Sequence, residues 1–158
     1  MEPRFCFIKE KYFEERAHYI KMLDSGNTDK QSKRTHIGVI VESNGNQFYI
    51  PLRNNLGAEV RKFGRIGHAV PSAKRKDAGL DYRYALIVND VSHIELQTQK
   101  KIPESQYRCI CNEYEKIKAE FEVYLNGYIK AAKKRRHEKE PLYKESCLIN
   151  FGTELGVK

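Results

Sequence analysis

From Ile37 the chain alternates apolar and polar positions, with Ile37, Val39 and Val41 on one side; after Asn44-Gly45 it returns as Phe48, Ile50 and Leu52. A period of two around an Asn-Gly dipeptide predicts an antiparallel hairpin with one buried face. From Tyr107 the period changes: Tyr107, Ile110, Tyr114, Ile117, Phe121, Tyr124 and Tyr128 follow at alternating steps of three and four. That spacing is an apolar helix seam, continuous or broken near Asn126-Gly127, and it predicts a helix lying on the sheet of its own domain. Elsewhere "RFCFIK", "YALIVND" and "SHIELQT" predict strands, "EKYFEERAHYIKML" a first helix and "EPLYKESCLINFGTEL" a short terminal helix. "DSGNTDKQSKRT" has no period and reads as a polar loop. The segment from Arg53 to Arg83 has little periodicity, which in a compact domain suggests a functional loop holding a short strand or helical turn.

Composition adds a direction. The chain has 158 residues, the size of a single domain, with 29 Lys+Arg against 21 Asp+Glu and a net charge of +8. Between Arg53 and Arg83 eight basic residues face three acidic ones, so five of the eight net charges come from that segment. Lys133-Lys134-Arg135-Arg136 forms a second cluster. A charge run is ordinarily a solvated face, but two of them interleaved with tyrosines favour a polyanionic partner, nucleic acid above all. The charged N-terminal stretch has no signal-peptide core and no run approaches the ~18 apolar residues of a membrane span, so a cytoplasmic protein without membrane contact is expected. The four cysteines read as reduced, mostly structural thiols; Cys109 and Cys111 stand ~200° apart on a helix and cannot share one metal.

The chemistry-bearing motifs are as informative for what is missing. The five histidines are scattered, there is no closely spaced Asp pair, and phosphate-loop, dinucleotide and nucleophile-elbow patterns are absent; no metal or cofactor is expected. An enzyme acting on nucleic acid with these residues has one economical reaction, attack of an RNA 2′-hydroxyl on its own 3′-phosphate. The substrate carries the nucleophile, and the protein has only to align it, move protons and neutralise the phosphorus-bound oxygens. Arg53, at the mouth of the hairpin, offers a planar fork of donors for the phosphate. Asn54 and Asn55 either donate to the same oxygens or form turns. Lys33 and Arg34 precede the opposite strand and enter a cleft there or remain solvated. His36 is a candidate base or a packed side chain, and Tyr12 a phosphate donor or a core residue. Backbone contacts are expected from Arg61, Lys62, Arg65, Lys74, Arg75, Lys76 and Arg83, with His68, Tyr82 and Asn55 among them, and from Lys9, Lys11, Lys133 and Lys134.

At these residues the sequence resembles a known family. "THIGVIVESNGNQFYIPL", with "IKEKYF" upstream, "GLDYRYALIV" downstream and "CLINFGTELG" at the end, is similar in order and spacing to the ToxN/AbiQ family of endoribonuclease toxins from type III toxin-antitoxin systems. The resemblance implies an α+β domain on a twisted antiparallel sheet, a Kid/MazF-like partial barrel with packed helices and a helical C-terminal half. It also implies a metal-independent ribonuclease leaving 2′,3′-cyclic phosphate and 5′-hydroxyl ends on cellular or phage RNA. The implied partner is an antitoxin RNA, a tandem-repeat pseudoknot that the toxin processes and with which it closes into a hetero-oligomer. Carried over residue by residue, the family's active-site tyrosine falls on Tyr12, its basic residue before the Ile-Gly strand on Lys33 or Arg34, and the positions after Pro-Leu on Arg53 and Asn54. The family commonly has Ser or Thr followed closely by Lys there, whereas this chain has Arg-Asn-Asn-Leu. Either Arg53 and Asn54 replace those groups, or the chemistry has moved to a residue such as His36. A non-catalytic RNA-binding module would use the same basic segment and tyrosines.

Overall fold

The computed structural model describes residues 3–41, 45–62 and 65–157, without the side chain of Arg61. Among the described residues seven strands form one antiparallel sheet: β1 (Arg4–Ile8), β2 (His36–Val41), β3 (Asn46–Arg53), β4 (Gly67–Ala69), β5 (Gly79–Asp81), β6 (Leu86–Ile87) and β7 (Ile94–Leu96). The order is β4-β5-β3-β2-β1-β7, with β6 also paired to β3, and the path runs from one edge to another without closing. This is the expected α+β architecture, as an open sheet.

The hairpin forms because its two apolar rows coincide: Ile37 lies opposite Ile50 and Val39 opposite Phe48, all buried. Its register pairs Val41 with Asn46, so the chain reverses around Asn44-Gly45. Gly45 takes φ +70° and donates to the Val41 carbonyl; Asn44 lies outside the described residues. β3 is the hub of the sheet. Its first half also pairs with β6, while Leu52 and Arg53 at its far end pair with Leu80 and Gly79. The basic segment is therefore structured, with α3 (Glu59–Lys62) followed by β4 and β5.

The seam from Tyr107 becomes α4 (Glu104–Lys133), 30 residues unbroken through Asn126-Gly127. It lies on the sheet: Phe121 packs edge-on to Phe48, and the Tyr114 hydroxyl donates to the Gly38 carbonyl at 2.9 Å. Gly127 is needed because a Cβ there would overlap the Tyr143 hydroxyl. Two expectations fail locally. The first helix, α1 (Glu10–Glu14), is short, and the chain after it is held by the C-terminal segment: Asn150 accepts from the Ile20 amide and donates to the Ile20 carbonyl, while Tyr19 packs against Phe151. These contacts satisfy backbone groups that a longer helix would have used. The polar loop contains α2 (Thr28–Ser32), started by Asn27, whose side chain accepts from the Lys30 amide. The terminal helix is a 3-10 turn, Cys147–Phe151, running into α5 (Gly152–Leu155). Among the described residues no helix is long and apolar enough to cross a membrane.

Candidate nucleic-acid interface

The open ends of β2 and β3 bring Arg34, His36 and Arg53 to one side of the sheet. Arg53 is half-buried and its Nη1 donates to Asp81 Oδ2 at 2.9 Å. Asp81 is fully buried and is shared: Arg83 donates to both of its oxygens, from Nε at 3.0 Å and Nη2 at 2.8 Å. One carboxylate thus answers two guanidiniums, and a positive charge is left in excess. Arg83 is enclosed by this pair and by the Leu56 carbonyl, so it builds the site and does not face a ligand. Tyr84, which the sequence reading passed over, lies between the two, with Arg53 Cζ 5.3 Å and Arg83 Cζ 5.4 Å from its ring centre. Burial raises its phenol above the ordinary value, against the pull of Arg83, so it holds its proton as a donor.

Arg34 ties the hairpin end together, donating from Nη1 to the Leu52 carbonyl at 3.1 Å and from Nη2 to Asp24 at 2.8 Å. Burial alone would raise the Asp24 carboxyl, but the hydrogen bonds and positive charges of Arg34 and Lys30 together outweigh it and hold the group below its ordinary value. Arg34 therefore positions the Pro51–Arg53 stretch. Behind it His36 is buried, with Nδ1 3.1 Å from the Arg34 carbonyl, and burial pushes its pKa down to about 4. It is a neutral packed histidine, not an open base. Tyr12 likewise points inward: it is fully buried, its hydroxyl donates to the Ile87 carbonyl at 2.9 Å and its pKa is raised by burial. The expected phosphate donor is committed to the backbone.

Beyond Arg53 the chain opens onto a groove lined by Asn54, Ser72, Lys74 and Arg75 on one side and by Pro103–Gln106, the first turn of α4, on the other. Asn54, Lys74, Arg75 and Lys76 are exposed, and the helix end adds its partial positive charge. Asn55 is a turn former, accepting from the Gly57 amide at 2.8 Å. Lys33 is exposed, pairs with Asp29, and shares a second groove with Lys9. Lys11, Lys62, Lys133 and Lys134 are also exposed, on other parts of the surface, whereas the side chain of Arg61 lies outside what is described.

Two more expected contacts turn inward. Tyr82 donates to Glu120 Oε1 at 2.9 Å, and His68 Nδ1 meets the same oxygen at 2.9 Å; both residues are buried. Arg65 reaches Glu120 Oε2 at 2.6 Å from a mostly exposed position. This network brings His68 beside Cys109 and Glu113, three metal-ligand types that the sequence leaves scattered. Burial and the Glu113 carboxylate push the Cys109 thiol up to about 12, so it keeps its proton and donates to Glu113 Oε2 at 3.0 Å. The four-residue step from Cys109 to Glu113 was the one legible sign of this cluster.

No family model matches the chain, and no curated protein matches it in sequence. Solved structures do. The toxin of a bacterial type III toxin-antitoxin system, described as selectively inhibited by a non-coding RNA pseudoknot, shares the fold with a TM-score of 0.58 at 16% identity, over 78% of each chain. AbiQ, described as a lactococcal anti-phage endoribonuclease of the type III toxin-antitoxin system, shares it with a TM-score of 0.66 at 22% identity, over 100% of both chains. At these identities the likeness establishes the fold, over the whole length of the chain.

Proposed function

We propose that this protein is an endoribonuclease toxin of the type III kind, held in check by an RNA antitoxin. The observation that carries the reading is the end-to-end fold shared with an anti-phage endoribonuclease. The excess guanidinium charge at the hairpin end and the lysine- and arginine-lined groove beside it agree with that reading.

In the reaction proposed, the 2′-oxygen of the nucleotide before the cut attacks the adjacent phosphorus and loses its proton. The bond from phosphorus to the 5′-oxygen breaks and that oxygen is protonated, leaving a 2′,3′-cyclic phosphate and a 5′-hydroxyl. Arg53 neutralises the non-bridging oxygens with the donors it does not give to Asp81, and the Asn54 amide assists. Tyr84 is the hydroxyl donor beside Arg53, a role that buried Tyr12 does not fill. Arg34 holds the turn in place. Lys74, Arg75 and Lys76 bind the backbone beyond the cut, and a repeat-derived pseudoknot would occupy the same groove, with Lys9 and Lys33 available to a further RNA segment. Closure of several toxin-RNA units into one particle belongs to this same reading.

A second reading has its own support: the burial of Tyr12 and His36 favours a module that binds RNA in this groove without cutting it. Incubating the purified protein with RNA in excess chelator separates the two. Fragments ending in cyclic phosphate support the toxin; intact RNA bound with steep salt dependence supports the module.

A further inference from the structure

His68 sits on β4, at the edge of the sheet, facing two residues one helical turn apart on α4, Cys109 and Glu113. Their ligating atoms all lie within 4.8 Å of one another. His68 Nε2 is 3.4 Å from Glu113 Oε1; a tetrahedral ion with bonds of ~2.0–2.1 Å to nitrogen and oxygen sets that edge at about 3.3 Å.

The support behind the ring is independent of that spacing. Glu120, nearly buried, receives hydrogen bonds from Tyr82 and Arg65 and faces His68 Nδ1 at 2.9 Å. In the neutral form of the ring, a carboxylate fixed in this way favours the proton on Nδ1 and turns the Nε2 lone pair toward Glu113, across a gap the size of a cation. This is the carboxylate–histidine–metal arrangement, in which an outer carboxylate orients the ligating imidazole.

We propose that His68, Cys109 and Glu113 bind one thiophilic divalent cation of the zinc class, with water in the fourth position. On binding, the Cys109 thiol releases its proton to solvent and its bond to Glu113 is replaced by bonds from both groups to the ion. The site clasps the edge strand β4 to the long helix. It shares no residue with the Arg53, Asn54 and Tyr84 cluster, and it does not rest on the ribonuclease reading.

The test is cobalt(II) titration of chelator-stripped protein, followed by zinc competition and thermal unfolding. The wild type should take up one equivalent of cobalt with a thiolate-to-cobalt charge-transfer band and the visible bands of a tetrahedral ion. Zinc should displace the cobalt and raise the melting temperature. Cys109→Ser should abolish the charge-transfer band, and Glu113→Gln should weaken zinc by about tenfold or more; both positions are partly exposed, so both variants should fold. Cys111→Ser should leave every readout as in the wild type. The proposal is overturned if the band is absent, if it depends on Cys111 instead of Cys109, or if zinc affinity is unchanged in Cys109→Ser. RNA cleavage in chelator reads a different site, so failure of either test leaves the other standing.

Discussion

His36 makes stability depend on pH in a way that can be calculated. Its side chain is 3% exposed, its Nδ1–H is committed to the Arg34 carbonyl, and burial together with the nearby Arg34 charge pushes its pKa from 6.5 to about 4. Between those values the unfolded chain holds a proton on this residue that the folded chain lacks, so stability rises with pH across the window and falls as the pH drops through it. Linkage gives a loss of about 2 kcal/mol between pH 7.5 and pH 5, approaching about 3 kcal/mol once the folded value is passed. His36→Gln keeps a donor for the carbonyl and removes the titration. Urea unfolding of both proteins at pH 7.5 and pH 5.0 isolates the effect, because other titrating groups cancel in the difference. The wild type should lose about 2 kcal/mol more than the variant over this range. Equal losses would show that His36 titrates normally and would return it to the candidates for an acid-base role.

Arg53→Ala should lower cleavage by roughly 10²- to 10³-fold while changing RNA affinity much less, because a contact strengthened in the transition state is lost and Arg83 still satisfies Asp81. Single-turnover rates and binding on the same RNA check this, and equal loss of both would make Arg53 a binding residue only. Replacing Lys74, Arg75 and Lys76 together with alanine should weaken RNA binding and make the slope of log affinity against log salt shallower by about 2. An unchanged slope would remove that groove wall from the interface. Gly127→Ala should destabilise the fold by roughly 1–2 kcal/mol in urea unfolding, because overlap with the Tyr143 hydroxyl outweighs the better helix propensity. Adding Tyr143→Phe should restore most of it; a single variant as stable as the wild type would contradict the packing.

Periodicity carried the hairpin and α4 because each buries one continuous apolar row, which reads directly as a period of two or of three and four. Where distant residues decide, the pattern misleads. Asn150, 130 positions away, takes up the Ile20 backbone groups in the stretch where the sequence pattern would have continued the first helix. Arg53 and Arg83 look alike in sequence, yet Asp81 encloses Arg83 and leaves Arg53 half-exposed. Tyr12 and His36 each read as core or chemistry in the sequence, and the Ile87 carbonyl on β6 and the Arg34 carbonyl assign them to the core. Tyr84 was missed because nothing local distinguishes it from Tyr82; the first faces two guanidiniums and the second a buried glutamate.

The most direct test of the proposed function uses one RNA oligonucleotide that the protein cuts, made in two forms: all-ribose, and with a single 2′-deoxy sugar on the 5′ side of the cut. In excess chelator the all-ribose strand should be cut there to a 2′,3′-cyclic phosphate and a 5′-hydroxyl, and the substituted strand should bind equally well and stay intact at that bond. Cleavage of the substituted strand, or 3′-hydroxyl and 5′-phosphate ends on the first, would mean that water and not the ribose is the nucleophile, and would contradict the mechanism built on Arg53.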